Sequence, residues 1–202
     1  MNHGLLILIL IIALPLLYKG IRLISRRPIR TDVPGSMEDG HFQRFPGAVI
    51  EFYRHEKDMH RMVLSDPVLK SNQAEGFQTK DIFGLRKTVI YQIPVYHDPL
   101  PVYEYYINEF WNNGFEVLYS VFGEEKMGRP RTWFRNLYFT GKNEGIWKDL
   151  AMIMDGNIHC YISGEKKKGS TMIYASLFSV NHYRNDKRTG VFIFISEIPA
   201  VS

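Results

Sequence analysis

The chain has 202 residues, 45% hydrophobic and 14% aromatic, with 25 Lys and Arg against 21 Asp and Glu, for a formal charge of +4. Those fractions are typical of a globular protein large enough to bury a real core. Cys160 is the single cysteine, which excludes an intramolecular disulfide and any cysteine-based metal site.

In chain order, the first feature is an apolar run over residues 5–17, extended by Ile21, Leu23 and Ile24. A bilayer core needs roughly 20 helical residues, so residues 1–24 are expected to form a single-pass transmembrane anchor. Leu5, Leu10, Pro15, Leu17 and Ile24 mark its length, and membrane helices tolerate a proline such as Pro15. A cleaved signal is the competing reading. The residues Met1-Asn2-His3 carry no Lys or Arg, however, and no small-x-small site follows Leu17. Lys19, Arg22, Arg26, Arg27 and Arg30 follow with no acid before Asp32, and are expected to meet lipid headgroups. Without these five the balance is 20 basic against 21 acidic residues, a net −1. The basic character therefore belongs to the membrane flank, and no nucleic-acid partner is expected. By the positive-inside rule this flank lies in the cytoplasm.

Residues 25–46 are polar and contain Pro and Gly, and are expected to be a linker, followed by a single globular domain over 47–202. Strands are expected at 48–53 and 59–64, joined by a turn at 55–58, with a loop over 66–84. Residues 88–94 alternate as a strand. A helix starts at Asp98 as N-cap with Pro99 in its first turn, carries Val102, Tyr106 and Phe110 at spacing four, and stops at Asn112-Asn113-Gly114. Further strands are expected at 115–122, 133–140, 158–163, 171–180 and 190–198, with a short amphipathic helix at 145–154. The last two strands are apolar on both faces, which places them centrally. The expected fold class is α+β: a mainly antiparallel sheet packed by one long and one short helix, preceded by the N-terminal transmembrane helix.

Residue patterns that carry chemistry are sparse. His55 and His60 are five apart, which does not match the His-Glu-x-x-His spacing of a zinc helix, and they are expected on a solvated turn. Residues 164–170 imitate a phosphate loop but sit between two strands and lack its lysine. Glu104 and Glu109 are five apart on the helix and do not pair. Cys160 lies in an apolar strand, as a packed thiol does. No catalytic residue, metal or cofactor is expected, and the chain is not expected to be an enzyme. Arg131, Trp133, Arg135 and Tyr138 interleave cations and rings, and form the candidate ligand surface.

Residues Arg44-Phe-Pro-Gly-Ala-Val-Ile-Glu-Phe-Tyr53, Arg86-Lys-Thr-Val-Ile-Tyr-Gln-Ile-Pro94, Val102-Tyr-Glu-Tyr-Tyr106, Gly114-Phe-Glu-Val-Leu-Tyr119, Tyr161, residues 171–180 and residues 188–198 follow a recognisable order. Together they resemble an uncharacterised domain of bacterial envelope proteins, often found ahead of an OmpA-like peptidoglycan-binding domain. The OmpA-like part has no counterpart in these residues, so peptidoglycan binding is not implied, and the likeness carries no activity. It implies an envelope location with the domain in the periplasm, against the positive-inside reading. The expected function is a non-enzymatic, membrane-tethered interaction module, an accessory or assembly subunit of an envelope complex at the bacterial inner membrane. Its expected partners are membrane lipids and other membrane or envelope proteins. The alternative is a lipid- or glycan-binding domain with an aromatic-lined cleft built from Trp111, Trp133, Tyr138 and Trp147.

Overall fold

Long runs of alternating side chains make this chain a sheet protein. The computed structural model describes residues 31–70, 73–93, 98–130, 132, 133, 137, 159–181 and 188–200. Its strands are β1 (Val49–Val63), β2 (Val68–Lys70), β3 (Gln73–Glu75), β4 (Thr79–Ile93), β5 (Glu116–Phe122), β6 (His159–Lys168), β7 (Thr171–Asn181) and β8 (Thr189–Pro199). Its helices are α1 (Pro99–Asn112) and α2 (Glu124–Met127). Six strands form one sheet in the order β1-β4-β8-β7-β6-β5, every neighbouring pair antiparallel, and β2–β3 is a separate small hairpin.

Period-two alternation divides the core between the two faces of the sheet. Val191, Ile193 and Ile195 of β8 join Val89, Tyr91 and Ile93 of β4 on one face, beneath Val102, Tyr106, Ile107 and Phe110 of α1. Phe192 and Phe194 join Ile90, Tyr161 and Phe178 on the other, beneath Met127, Trp133 and Leu137. The side chains on both faces of β7 and β8 are buried, which is why these two strands are central.

α1 forms for local reasons. The Asp98 carboxylate accepts the Leu100 N–H, proline occupies the first turn, and Gly114 takes φ 75° just past the Asn113 cap. Beside it runs a strap of residues 32–48. Asp39 accepts the N–H groups of His41 (2.7 Å) and Phe42 (2.8 Å), turning Phe42 onto Phe110 and Phe115 with ring centroids 4.6 and 5.2 Å apart. Arg44 ties the strap ends together through Asp32 and Glu38. Burial raises the Asp39 carboxyl above its ordinary range, with the Glu38 charge adding to the rise, while the two N–H bonds oppose it. Residues 31–46, expected as linker, are thus held against the sheet.

Several sequence expectations are corrected. The expected fold class gives way to a predominantly antiparallel sheet, with 55% strand and 17% helix among the described residues. No helix among the described residues is long and apolar enough to cross a membrane. The anchor (1–24) and the second helix (145–154) lie outside the described residues. No turn interrupts 55–58: β1 runs unbroken for 15 residues and pairs with β4 from Val49↔Gln92 to Val63↔Thr79. The expected loop over 66–84 contains β2, β3 and the first six residues of β4. The consecutive charges Glu56-Lys57-Asp58 mislead here because neither face of this part of the edge strand is fully buried, so no apolar alternation marks it. Thr132, Trp133 and Leu137 are helical rather than extended.

Gly164 sits where β5 bulges, between Val117 and Tyr119. A Cβ there would meet the Glu116 carbonyl oxygen at 2.7 Å and Phe110 Cδ1 at 3.0 Å. Gly164→Ala is expected to cost about 1–3 kcal/mol in a urea titration, because backbone rather than a movable side chain occupies the space.

Candidate interaction surface on the folded-back hairpin

β4 bonds to β8 only from Leu85 onward, while its ladder with β1 continues to Thr79. The distal part of the hairpin, 58–63 with 79–84, therefore leaves the main sheet with no strand beyond it except its own partner. Gly84 stands at the departure point, where a Cβ would meet Ile198 Cγ2 at 2.6 Å and the Glu197 carbonyl at 3.2 Å. From there the hairpin folds back across the inner face. The Val63 N–H donates to the Tyr161 hydroxyl (2.9 Å), and the Ser163 hydroxyl donates to the Val63 carbonyl (2.7 Å). Lys80 reaches Glu165 at 2.9 Å and lies 4.3 Å over the Tyr174 ring. Met62, Ile82 and Tyr174 close a small apolar cluster between the layers.

Alternation gives this hairpin two opposed sides. Inward stands His60, 1% exposed, with Nε2 2.7 Å from the Ser176 hydroxyl and Nδ1 3.2 Å from the Ser196 hydroxyl. Burial lowers its pKa to about 3, with the nearby Arg86 charge adding to the fall and Asp81 opposing it. Arg86 is itself buried, bonded to Asp58 and to the Met59 carbonyl, and its guanidinium lies 5.7 Å from the Phe194 ring centroid. The solvated turn expected for His60 is thus corrected: the residue is interior.

Outward stand Phe83 (73% exposed) and Leu85 (45% exposed), opposite Met59 and Lys57. Two large apolar side chains at such exposure, side by side on one strand face, form a small contiguous apolar patch. Charges of both signs border them. Arg61 makes a double hydrogen bond to Asp81 (2.7 Å each), and Glu197 lies 3.3 Å from His41. An apolar centre with a mixed polar rim is the ordinary anatomy of a protein interface.

The sequence-derived sites stand elsewhere. Trp133 is fully buried against Phe77 (4.8 Å) and Tyr161 (5.4 Å), its indole N–H donating to the Met127 carbonyl. It offers no ring face to an external ligand. Arg131, Arg135 and Tyr138, the other three residues of the candidate ligand surface, lie outside the described residues, as does Trp147. Trp111 is 59% exposed on α1. The anchor residues Leu5, Leu10, Pro15, Leu17 and Ile24 and the headgroup residues Lys19, Arg22, Arg26, Arg27 and Arg30 also lie outside. Cys160 is a buried strand thiol, its pKa raised to about 12 by burial. No group of three or more His, Cys, Asp or Glu among the described residues could hold a metal ion.

Sequence reasoning missed Phe83 because residues 66–84 read as loop, and Leu85 because the next strand was expected to begin only at residue 88. The available signal was the alternation Ile82, Gly84, Arg86 inward against Phe83, Leu85, Lys87 outward, masked by Gly84. Comparison with protein-family models and with curated proteins found no match to this chain.

Proposed function

We propose that this protein is a non-catalytic interaction module held at a bacterial inner membrane by its apolar N-terminal segment, an accessory or assembly subunit of an envelope protein complex. The observation that carries the reading is the outward strip of the hairpin, Phe83 and Leu85 inside a rim of mixed charge. An anionic bilayer would select a net cationic face, whereas paired opposite charges around an apolar centre suit a protein partner. From Ile24 to Thr31 the chain can reach at most roughly 24 Å when extended. A tether of that length keeps the domain close to the membrane surface, where other membrane proteins are within its reach. The envelope resemblance of residues 44–53, 86–94 and 171–180 supports the periplasmic side.

A photo-crosslinking amino acid at position 83 is expected to form a discrete adduct with another membrane protein in intact cells, while the same group at exposed Glu104 on α1 does not. Phe83→Asp is expected to abolish co-purification in mild detergent and to change stability by less than about 0.5 kcal/mol, because the side chain is already exposed. Equal labelling at both positions, or recovery of the protein alone in every preparation, would sink the proposal.

A further inference from the structure

We propose that the folded-back hairpin is an acid-released latch, and that His60 is the residue that senses the proton. The sheet makes the hairpin a separable unit. Residues 58–63 and 79–84 pair only with each other, through a ladder to which β6, β7 and β8 contribute no strand. What holds them down is His60 between Ser176 and Ser196, Val63 bonded to Tyr161 and Ser163, Lys80 on Glu165, and the buried apolar contacts of Met62, Val63 and Ile82.

The neutral imidazole suits this place, donating through one nitrogen and accepting through the other while each serine hydroxyl takes the complementary role. An imidazolium would still find two hydroxyl acceptors. Its cost is therefore not a lost hydrogen bond but a second positive charge in a sealed site beside Arg86. The groups facing the ring from each element offer little compensation. On β1, Asp58 bonds Arg86, and on β4, Asp81 bonds Arg61. Lys80 of β4 is held by Glu165 of β6. β7 presents Ser176 and Tyr174, and β8 presents Ser196 and Phe194.

In the closed state the ring titrates at about pH 3, whereas swung into water it returns toward 6.5. Below pH 6.5 the open state therefore binds one proton that the closed state does not, and its population rises by up to about tenfold per pH unit as acidity increases. Opening exposes Met62 and Ile82 on the side of the hairpin opposite Phe83 and Leu85, and uncovers Tyr174 on β7.

The test is amide hydrogen exchange of the full chain in detergent micelles, from about pH 7.5 to about pH 4.5, corrected for the intrinsic exchange rate. Protection of 58–63 and 79–84 is expected to fall by up to about tenfold per unit below pH 6.5, while the centres of β7 and β8 keep theirs. His60→Gln, which keeps a donor and an acceptor but does not titrate, is expected to flatten that dependence. The same slope in His60→Gln, or loss of protection in β7 and β8 together with the hairpin, overturns the proposal. If His60→Gln does not fold, the wild-type His60 ring resonance decides. A neutral ring below pH 5 with acid-dependent hairpin exchange supports the latch, and a ring that titrates near 6.5 in the closed protein overturns it.

Discussion

Trp133→Ala is expected to lower the unfolding free energy by about 3–5 kcal/mol, read as a shift of the urea midpoint at unchanged slope. The indole is fully buried, stands between Phe77 and Tyr161, and spends its N–H on the Met127 carbonyl. Truncation removes the largest apolar body of the inner-face cluster and leaves a cavity floored by Tyr161, Phe178 and Phe192 of β6, β7 and β8, which cannot close in because each of these strands is laddered on both sides. Trp133→Phe, which keeps most of the volume and loses the donor, is expected to cost roughly half as much. A tryptophan serving an external ligand would cost less than about 0.5 kcal/mol on truncation. The measurement therefore separates the interior role from the surface role that its Arg-rich sequence neighbourhood suggests.

Asp58→Ala is the second large effect, expected at about 3 kcal/mol. It removes the carboxylate from an arginine that is 6% exposed and whose other contacts include the Met59 carbonyl and the face of Phe194. The asymmetry of buried ion pairs gives a sharper check: Asp58→Leu combined with Arg86→Met is expected to recover most of the loss, because both charges then leave the site together. A double-mutant cycle in urea measures the coupling. Additive losses would mean that Asp58 acts as a solvated surface charge, consistent with its partly exposed side chain rather than with the burial of Arg86. The same pair borders His60, so the cycle is best run at neutral pH, where that ring stays uncharged.

α1 was legible because everything that defines it lies within a few residues: Asp98 bonding Leu100, proline in the first turn, an apolar stripe at spacing four, and Asn-Gly at the end. β7 and β8 were legible, down to their central place, because two-sided burial writes an uninterrupted apolar run into the strand itself. β1 was legible at its two ends, 48–53 and 59–64, but not through its middle. Glu56, Lys57 and Asp58 look like a turn until their partners are known, and Arg86, the partner of Asp58, belongs to a strand whose start fell in the expected loop. The exposed pair Phe83 and Leu85 shared that fate.

By itself the sequence determined the local content of this protein: a capped helix, apolar central strands, a packed thiol, a near-neutral body behind a basic flank, and an apolar N-terminal run that remains the ground for a membrane tether. Only the tertiary structure decided which polar residues are interior. Ser176 and Ser196 stand 116 and 136 residues from His60, and a bond across such a separation leaves no mark in the periodicity on either side. Periods and caps are satisfied by near neighbours, so the chain records them locally. Burial of a histidine, and the folding back of a hairpin over it, are satisfied by strands brought together through the whole sheet.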